Sequence, residues 1–217
     1  MVNIGVLVSG SGTNLQSIID AVEAGSLSAS IKVVISNKPD AYALERAKKH
    51  GIDTAIVRVK DFPSRELFDA EVLRILRERR VELVVLAGFM RLISNVLLEG
   101  FPMRIINIHP SLLPSFPGLE VQKTALEYGV KFSGCTVHFV DGGLDSGPII
   151  IQAVVPVKDE DTIESLSKRI LVEEHRIYPQ AIQLFSEGRI QVRGRRVFVR
   201  DSQAPSSAIE NPKVTIL

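Results

Sequence analysis

The sequence predicts an α/β fold: a Rossmann-like parallel βαβ amino-terminal half that continues into a mixed sheet with an antiparallel hairpin and a long carboxyl-terminal helix. Three observations carry this. Apolar, β-branched runs alternate with helical segments as far as residue 108, the mark of parallel strands joined by right-handed crossovers. Two later strand-like runs are joined only by Asp-Gly-Gly-Leu-Asp-Ser-Gly-Pro, too short for a crossover helix, so they pair antiparallel. Residues 162–185 then read as one long helix.

In chain order, residues 2–8 form a buried strand, 9–14 a glycine-rich turn and 15–24 a helix that Gly25 closes. A strand at 31–36, a helix at 41–50, a strand at 55–59 and a long helix at 65–80 follow. Residues 83–86 are a short apolar strand, 95–98 begin a helical turn, and 104–108 are a strand that Pro110 stops. Beyond it, 118–128 looks helical, and 135–140 and 149–157 are the antiparallel pair. Asp161 or Thr162 caps the long helix, which Pro179 ends or kinks. Residues 190–192 and 196–199 form a small hairpin, and 201–217 a loosely held tail. The expected organisation is one domain over 1–194, with a phosphate-binding half to about residue 100 and a catalytic half after it, then a terminal strand and tail at 195–217.

Composition narrows the function. With 217 residues, 45% of them hydrophobic, the chain can bury a full core. A net charge of +1 leaves no overall electrostatic footprint for nucleic acid or a membrane surface. The single cysteine, Cys135, excludes an internal disulfide and fits a reducing compartment. The opening segment is apolar but too short to span a bilayer, and it carries no basic leader or cleavage signal, so a cytoplasmic location is expected.

The most informative stretch is Arg-Ile-Ile-Asn-Ile-His-Pro-Ser-Leu-Leu-Pro-Ser-Phe-Pro-Gly at 104–118. Side chains alternate across a strand, so Asn107 and His109 share one face while Ile106 and Ile108 take the other. A histidine beside an amide donor at a strand's carboxyl end suits proton transfer and stabilisation of a developing oxyanion. A carboxylate beside such a histidine would favour its charged form. Asp145 and Asp141 are the candidates; both lie in a glycine-rich loop, and sequence spacing does not separate them. The remaining histidines read blandly: His50 as a solvated residue near a helix end, His138 as a sheet-face residue and His175 as part of a charged helix face. No pair of them has metal-site spacing, so no metal is expected.

Ser9-Gly10-Ser11-Gly12-Thr13-Asn14 lies between a strand and a helix, where free N–H groups and the helix dipole favour a phosphate. Leu15 stands where a dinucleotide fold wants its third glycine, and Asn37 and Lys38 where it wants an acid. No Gly-Lys-Ser/Thr follows, so a nucleoside triphosphate loop is also disfavoured. A terminal monophosphate on Gly12, Thr13 and Asn14 remains, against a plain tight turn with Thr13 as the helix cap.

Taken with Leu-Ala-Gly-Phe-Met-Arg at 86–91, His-Phe-Val-Asp at 138–141, Asp-Ser-Gly-Pro-Ile at 145–149 and Glu-His-Arg-Ile-Tyr-Pro at 174–179, the chain resembles the folate-dependent glycinamide ribonucleotide formyltransferases over about residues 2–192. The resemblance implies formyl transfer from 10-formyltetrahydrofolate to the amine of glycinamide ribonucleotide in purine synthesis. It also implies that Asn107, His109 and Asp145 form the catalytic trio. By the same analogy the ribonucleotide meets Gly12, Thr13 and Asn14 through its phosphate, and Leu171, Val172, Glu173 and Glu174 elsewhere. The folate lies across Met90, Arg91, Leu92 and Ile93 and across Val140, Asp141, Gly142, Gly143, Leu144 and Asp145, touching Asn107, with Arg65 toward its glutamate tail. One departure is visible: Glu120, Val121 and Gln122 stand where some relatives carry histidine. A monomer or homodimer acting on these two small molecules is expected, with no nucleic acid or membrane partner. The competing readings are a transfer-RNA formyltransferase, a formyltetrahydrofolate hydrolase and a non-catalytic nucleotide-binding module.

Overall fold

The computed structural model describes residues 1–206, 209 and 211. Nine strands and six helices alternate through it. They are β1 (Val2–Val8), α1 (Thr13–Glu23), β2 (Ala29–Ser36), α2 (Tyr42–Lys49), β3 (Thr54–Ile56), α3 (Arg65–Glu78), β4 (Leu83–Leu86), α4 (Asn95–Gly100), β5 (Ile105–His109), α5 (Val121–Tyr128), β6 (Phe132–Phe139), β7 (Ile149–Pro156), α6 (Ile163–Ser186), β8 (Ile190–Arg193) and β9 (Arg196–Val199). A seven-stranded sheet runs β3-β2-β1-β4-β5-β6-β7 and a second sheet pairs β8 with β9. The first five strands are mutually parallel, and β6 and β7 are antiparallel additions at the far edge. The predicted mixed sheet is therefore the one that forms.

Strand order reverses between β1 and β4, and in open parallel sheets a crevice opens beyond the carboxyl ends of strands at such a point. Each face carries its own core. Leu15, Ile18 and Ile19 of α1, Leu44 of α2, and Leu166, Ile170 and Ile177 of α6 pack on one face with Ile106 and Ile108 of β5. Phe68, Val72 and Leu76 of α3 and Leu97 of α4 pack on the other with Ile105. Burying each aliphatic side chain is worth roughly 1.5–3 kcal/mol, enough to hold strand register firmly. Asn107 and His109 thus emerge on the α3–α4 face of the sheet.

Several boundaries differ from expectation for local reasons. The third strand ends at Ile56, because Val59–Asp61 form a 3-10 turn in which the Asp61 carboxylate accepts a bond from Arg58 Nε at 2.7 Å. The fifth helix begins at Val121 rather than at residue 118, since Gly118 and Glu120 have φ of 89° and 55°. Thr162 is the cap of α6, whereas Asp161 binds the Arg169 guanidinium at 2.7 and 2.8 Å. Pro179 lies inside α6 without ending it. It removes one helix hydrogen bond, but it is buried between core residues Tyr178 and Ala181 that hold the helix against the sheet. The predicted tail covers 201–217, much of which lies outside the described residues.

Candidate active site

The antiparallel register of β5 and β6 sets Asn107 opposite His138 and His109 opposite Thr136. Asn107 Nδ2 donates to His138 Nε2 at 3.3 Å, while His138 Nδ1 donates to the Phe139 carbonyl at 2.8 Å. Burial pushes the His138 pKa down, which favours the neutral ring that this bonding pattern requires. The 3.9 Å approach of Asp145 Oδ1 to His138 Nε2 is therefore not an ion pair at neutral pH. Sequence reasoning read His138 as an ordinary sheet residue. Its role depends on inter-strand register, which no local pattern reveals.

His109 is 4% exposed. Its Nε2 donates to the Phe116 carbonyl at 2.8 Å, and its Nδ1 lies 3.4 Å from Asp145 Oδ2. Gly118 N–H donates to the same carboxylate oxygen at 2.9 Å. Asp141, by contrast, turns into its own loop, where its Oδ1 accepts from Gly143 N–H at 3.1 Å and Ser146 Oγ at 2.6 Å. Of the two aspartates left open by spacing, the fold brings Asp145 to the histidine. The loop can fold back this far because Gly147 has no side chain: an added Cβ would lie 1.8 Å from the Phe139 carbonyl oxygen. The segment after Pro110 is fixed by Thr136 Oγ1, which donates to Ser111 O at 2.7 Å and accepts from Leu113 N–H at 3.1 Å.

At the glycine-rich turn, Gly12 is the N-cap of α1 with φ 72° and ψ 33°, and Thr13 is the first helical residue rather than the cap. A Cβ at Gly12 would meet Ala43 Cβ at 2.6 Å, so both conformation and space require glycine. Asn14 Nδ2 donates to Glu174 Oε2 at 2.7 Å, and Asn14 Oδ1 is buried without a partner among the described residues. Glu174 is buried on α6; burial raises its pKa, opposed by the Asn14 bond and the charge of His109. Leu171 is half-buried, Val172 is exposed, and Glu173 is bonded to Arg176 at 2.5 Å.

The segment from Ala87 to Ser94 links the turn to the sheet: Ser9 N–H donates to Gly88 O at 3.1 Å and Met90 N–H to Ser9 Oγ at 2.9 Å. Met90, Leu92 and Leu144 are more than half exposed, whereas Ile93 and Val140 pack partly against the second core. Gly142 and Gly143 are exposed beside Leu144. Exposed apolar side chains on these two loops offer surface to a ligand. The Arg91 guanidinium lies over the Phe68 ring at 4.7 Å, and its Nε is buried without a partner among the described residues. Arg65 is half exposed at the start of α3, 3.8 Å from Glu66. Among the described residues, no group of three His, Cys, Asp or Glu side chains could hold a metal ion, and no helix is long and apolar enough to cross a membrane.

The formyl transferase family model matches residues 2–182, most of the chain. The chain belongs to the formyl transferase family. This formyltransferase is 42% identical over 203 residues to phosphoribosylglycinamide formyltransferase of Escherichia coli, covering 94% of this chain and 96% of that one. It is 50% identical to part of the trifunctional purine biosynthetic protein adenosine-3 of Drosophila pseudoobscura pseudoobscura, covering 93% of this chain but only 15% of that much longer protein. Its fold is similar to the crystal structure of glycinamide ribonucleotide transformylase 1 from Symbiobacterium toebii, with a TM-score of 0.91, 57% identity, and coverage of 93% and 95% of the two chains.

Proposed function

We propose that the chain transfers the formyl group of 10-formyltetrahydrofolate to the amine of glycinamide ribonucleotide, yielding formylglycinamide ribonucleotide and tetrahydrofolate in de novo purine synthesis. The observation that carries this reading is the convergence of Asn107, His109 and Asp145 at one strand end, with His109 Nδ1 3.4 Å from the Asp145 carboxylate. The names borne by the similar proteins support the same reading.

The chemistry follows from this geometry. Attack of the amine on the formyl carbon makes a tetrahedral centre whose oxygen becomes negative. The Phe116 carbonyl holds His109 Nε2–H, so Nδ1 is the nitrogen presented to the reacting oxygen. The Nδ1–Asp145 contact is long enough for an Nδ1 proton to be shared with that oxygen. Asn107 spends one Nδ2 hydrogen on His138 and keeps the other for the oxyanion. The proton lost by the attacking nitrogen passes to the departing folate nitrogen through His109, Asp145 or water, and the C–N bond to folate breaks.

In this reading the phosphate binds Gly12, Thr13 and Asn14, and the rest of the ribonucleotide meets Leu171 to Glu174. The folate lies between the loop holding Met90, Arg91, Leu92 and Ile93 and the loop holding Val140 to Asp145, with Arg65 toward its glutamate. One domain over residues 1–194 performs the reaction in the cytoplasm. The test is to supply the purified chain with both substrates and follow tetrahydrofolate release together with the product mass. Formylglycinamide ribonucleotide is the expected product. Release of formate without it would overturn the reading in favour of a hydrolase, and absence of turnover would overturn it outright.

A further inference from the structure

Among the described residues Arg46, on α2, is the one guanidinium that hydrogen-bonds the backbone of the glycine-rich turn. Its Nε donates to Ser11 O at 2.9 Å and its Nη1 to Gln16 Oε1 at 3.0 Å, and its guanidinium carbon lies 4.9 Å from the Tyr42 ring centroid. Gln16 is itself held, with Nε2 2.8 Å from Asp20 Oδ1 and 3.3 Å from His50 Nε2, while His50 Nδ1 lies 2.6 Å from Glu23. The arginine is thus locked in place by a polar network whose two acceptors use only two of its five N–H donors. Among the described residues it has no carboxylate partner, although exposed arginines elsewhere, such as Arg58 and Arg74, are paired. A cavity of about 210 Å³ opens beside it, lined by Arg46, Thr13, Gln16, Ser17, Asp20 and His175. His175 Nε2 is buried without a hydrogen-bond partner among the described residues.

We infer that Arg46 supplies the positive charge that binds the substrate's phosphate at the Gly12–Asn14 turn and selects a phosphorylated ribonucleotide over its neutral ribonucleoside. The inference rests on the proposed placement of that phosphate. Backbone N–H groups and the α1 dipole offer partial charges only, whereas a phosphate monoester carries close to two negative charges at neutral pH. A guanidinium already anchored through Ser11 and Gln16 presents its remaining donors without the entropy cost of ordering a free side chain. The Asp20 carboxylate lies in the same wall, but it accepts from Gln16 and stands nearly two helical turns beyond Thr13 and Asn14.

The test compares Arg46→Met and Arg46→Lys with the wild type on glycinamide ribonucleotide and on the corresponding ribonucleoside, with circular dichroism as the check of folding. Losing a charge-assisted contact to phosphate should raise KM for the phosphorylated substrate roughly 10- to 100-fold in Arg46→Met. The preference for phosphorylated over unphosphorylated substrate should fall by a similar factor, and Arg46→Lys should restore part of it. Equal losses on both substrates would make Arg46 a brace of the turn and overturn the inference, as would unchanged KM. Should Arg46→Met fail to fold, Arg46→Gln takes its place: an unaltered preference in that uncharged variant overturns the inference. Binding of inorganic phosphate by calorimetry separates the two readings, because it needs no turnover. Weaker phosphate binding in Arg46→Met supports the inference even where formyl transfer fails, and equal binding overturns it.

Discussion

Asn107 and His138 face each other across the antiparallel β5–β6 ladder, and the amide of one donates to the unprotonated ring nitrogen of the other at 3.3 Å. The Asn107 amide is therefore oriented from behind, with its carbonyl oxygen turned away from His138. Protonating His138 would replace that acceptor with a donor and favour a flipped amide.

His138→Leu is expected to lower kcat about tenfold with little change in KM, since it removes the group that orients Asn107 rather than a ligand contact. The stability effect has a definite sign. Burial holds the folded-state pKa of His138 below its ordinary value, so the unfolded chain binds the extra proton more readily. Stability should be full above about pH 6.5 and decline as pH falls toward the lowered folded value. Thermal melts from pH 7.5 to 5 should show a weaker decline for His138→Leu than for the wild type.

His109→Ala is expected to cost roughly 10²–10⁴ in kcat, the scale for losing a general acid–base group. Asn107→Ala should cost on the order of 10²–10³, the scale for losing one oxyanion donor. Steady-state kinetics with both substrates checks both. A defect confined to KM would assign either residue to binding.

Asp145→Asn should reduce kcat far more than Asp141→Asn. Asp145 faces His109, whereas Asp141 bonds only within its own loop among the described residues. Equal defects in a side-by-side assay would show that the loop conformation, not the Asp145 carboxylate, is what matters.

Much of the fold was legible because parallel strands are buried on both faces and read as continuous apolar runs, as Val2–Val8 and Leu83–Leu86 do. Boundaries failed where backbone conformation, not pattern, decides. Gly118 and Glu120 are left-handed, which delays α5 although the helical composition starts earlier. Asn107 and His109 were visible because two residues apart on a strand means one shared face. Asp145 stayed tied with Asp141, since a loop has no period to count. The contacts of His138, read only as a sheet-face residue, and of Arg46 were not legible for a different reason: each meets a partner brought in by tertiary pairing.

Gly147→Ala is expected to abolish turnover or nearly so, because its Cβ would collide with the Phe139 carbonyl and push the Asp145 loop off the sheet. Cleavage of that loop by a protease of broad specificity, such as proteinase K, should accelerate while the remainder of the domain stays protected. Full activity in this variant would mean that the loop closes in another way.

Glu174→Gln should stabilise the folded protein increasingly as pH rises. Burial raises the folded-state pKa of Glu174, so the wild type is favoured at acid pH and loses that advantage as pH climbs from about 4.5 through the raised value. The difference in Tm between variant and wild type, measured from pH 4.5 to 8, should therefore grow. A flat difference would place the carboxylate in a better-solvated setting than its burial implies.

β5 has a parallel neighbour in β4 and an antiparallel one in β6, and its odd and even positions serve opposite purposes. Sliding it by a single residue would drive Asn107 and His109 into the core under α1 and α6 and put Ile106 and Ile108 where the polar site now lies. The oily side cannot be loosened without blurring the polar side, so conservative changes at Ile106 or Ile108, which face the core opposite Asn107 and His109, are expected to register as lost turnover before they register as unfolding.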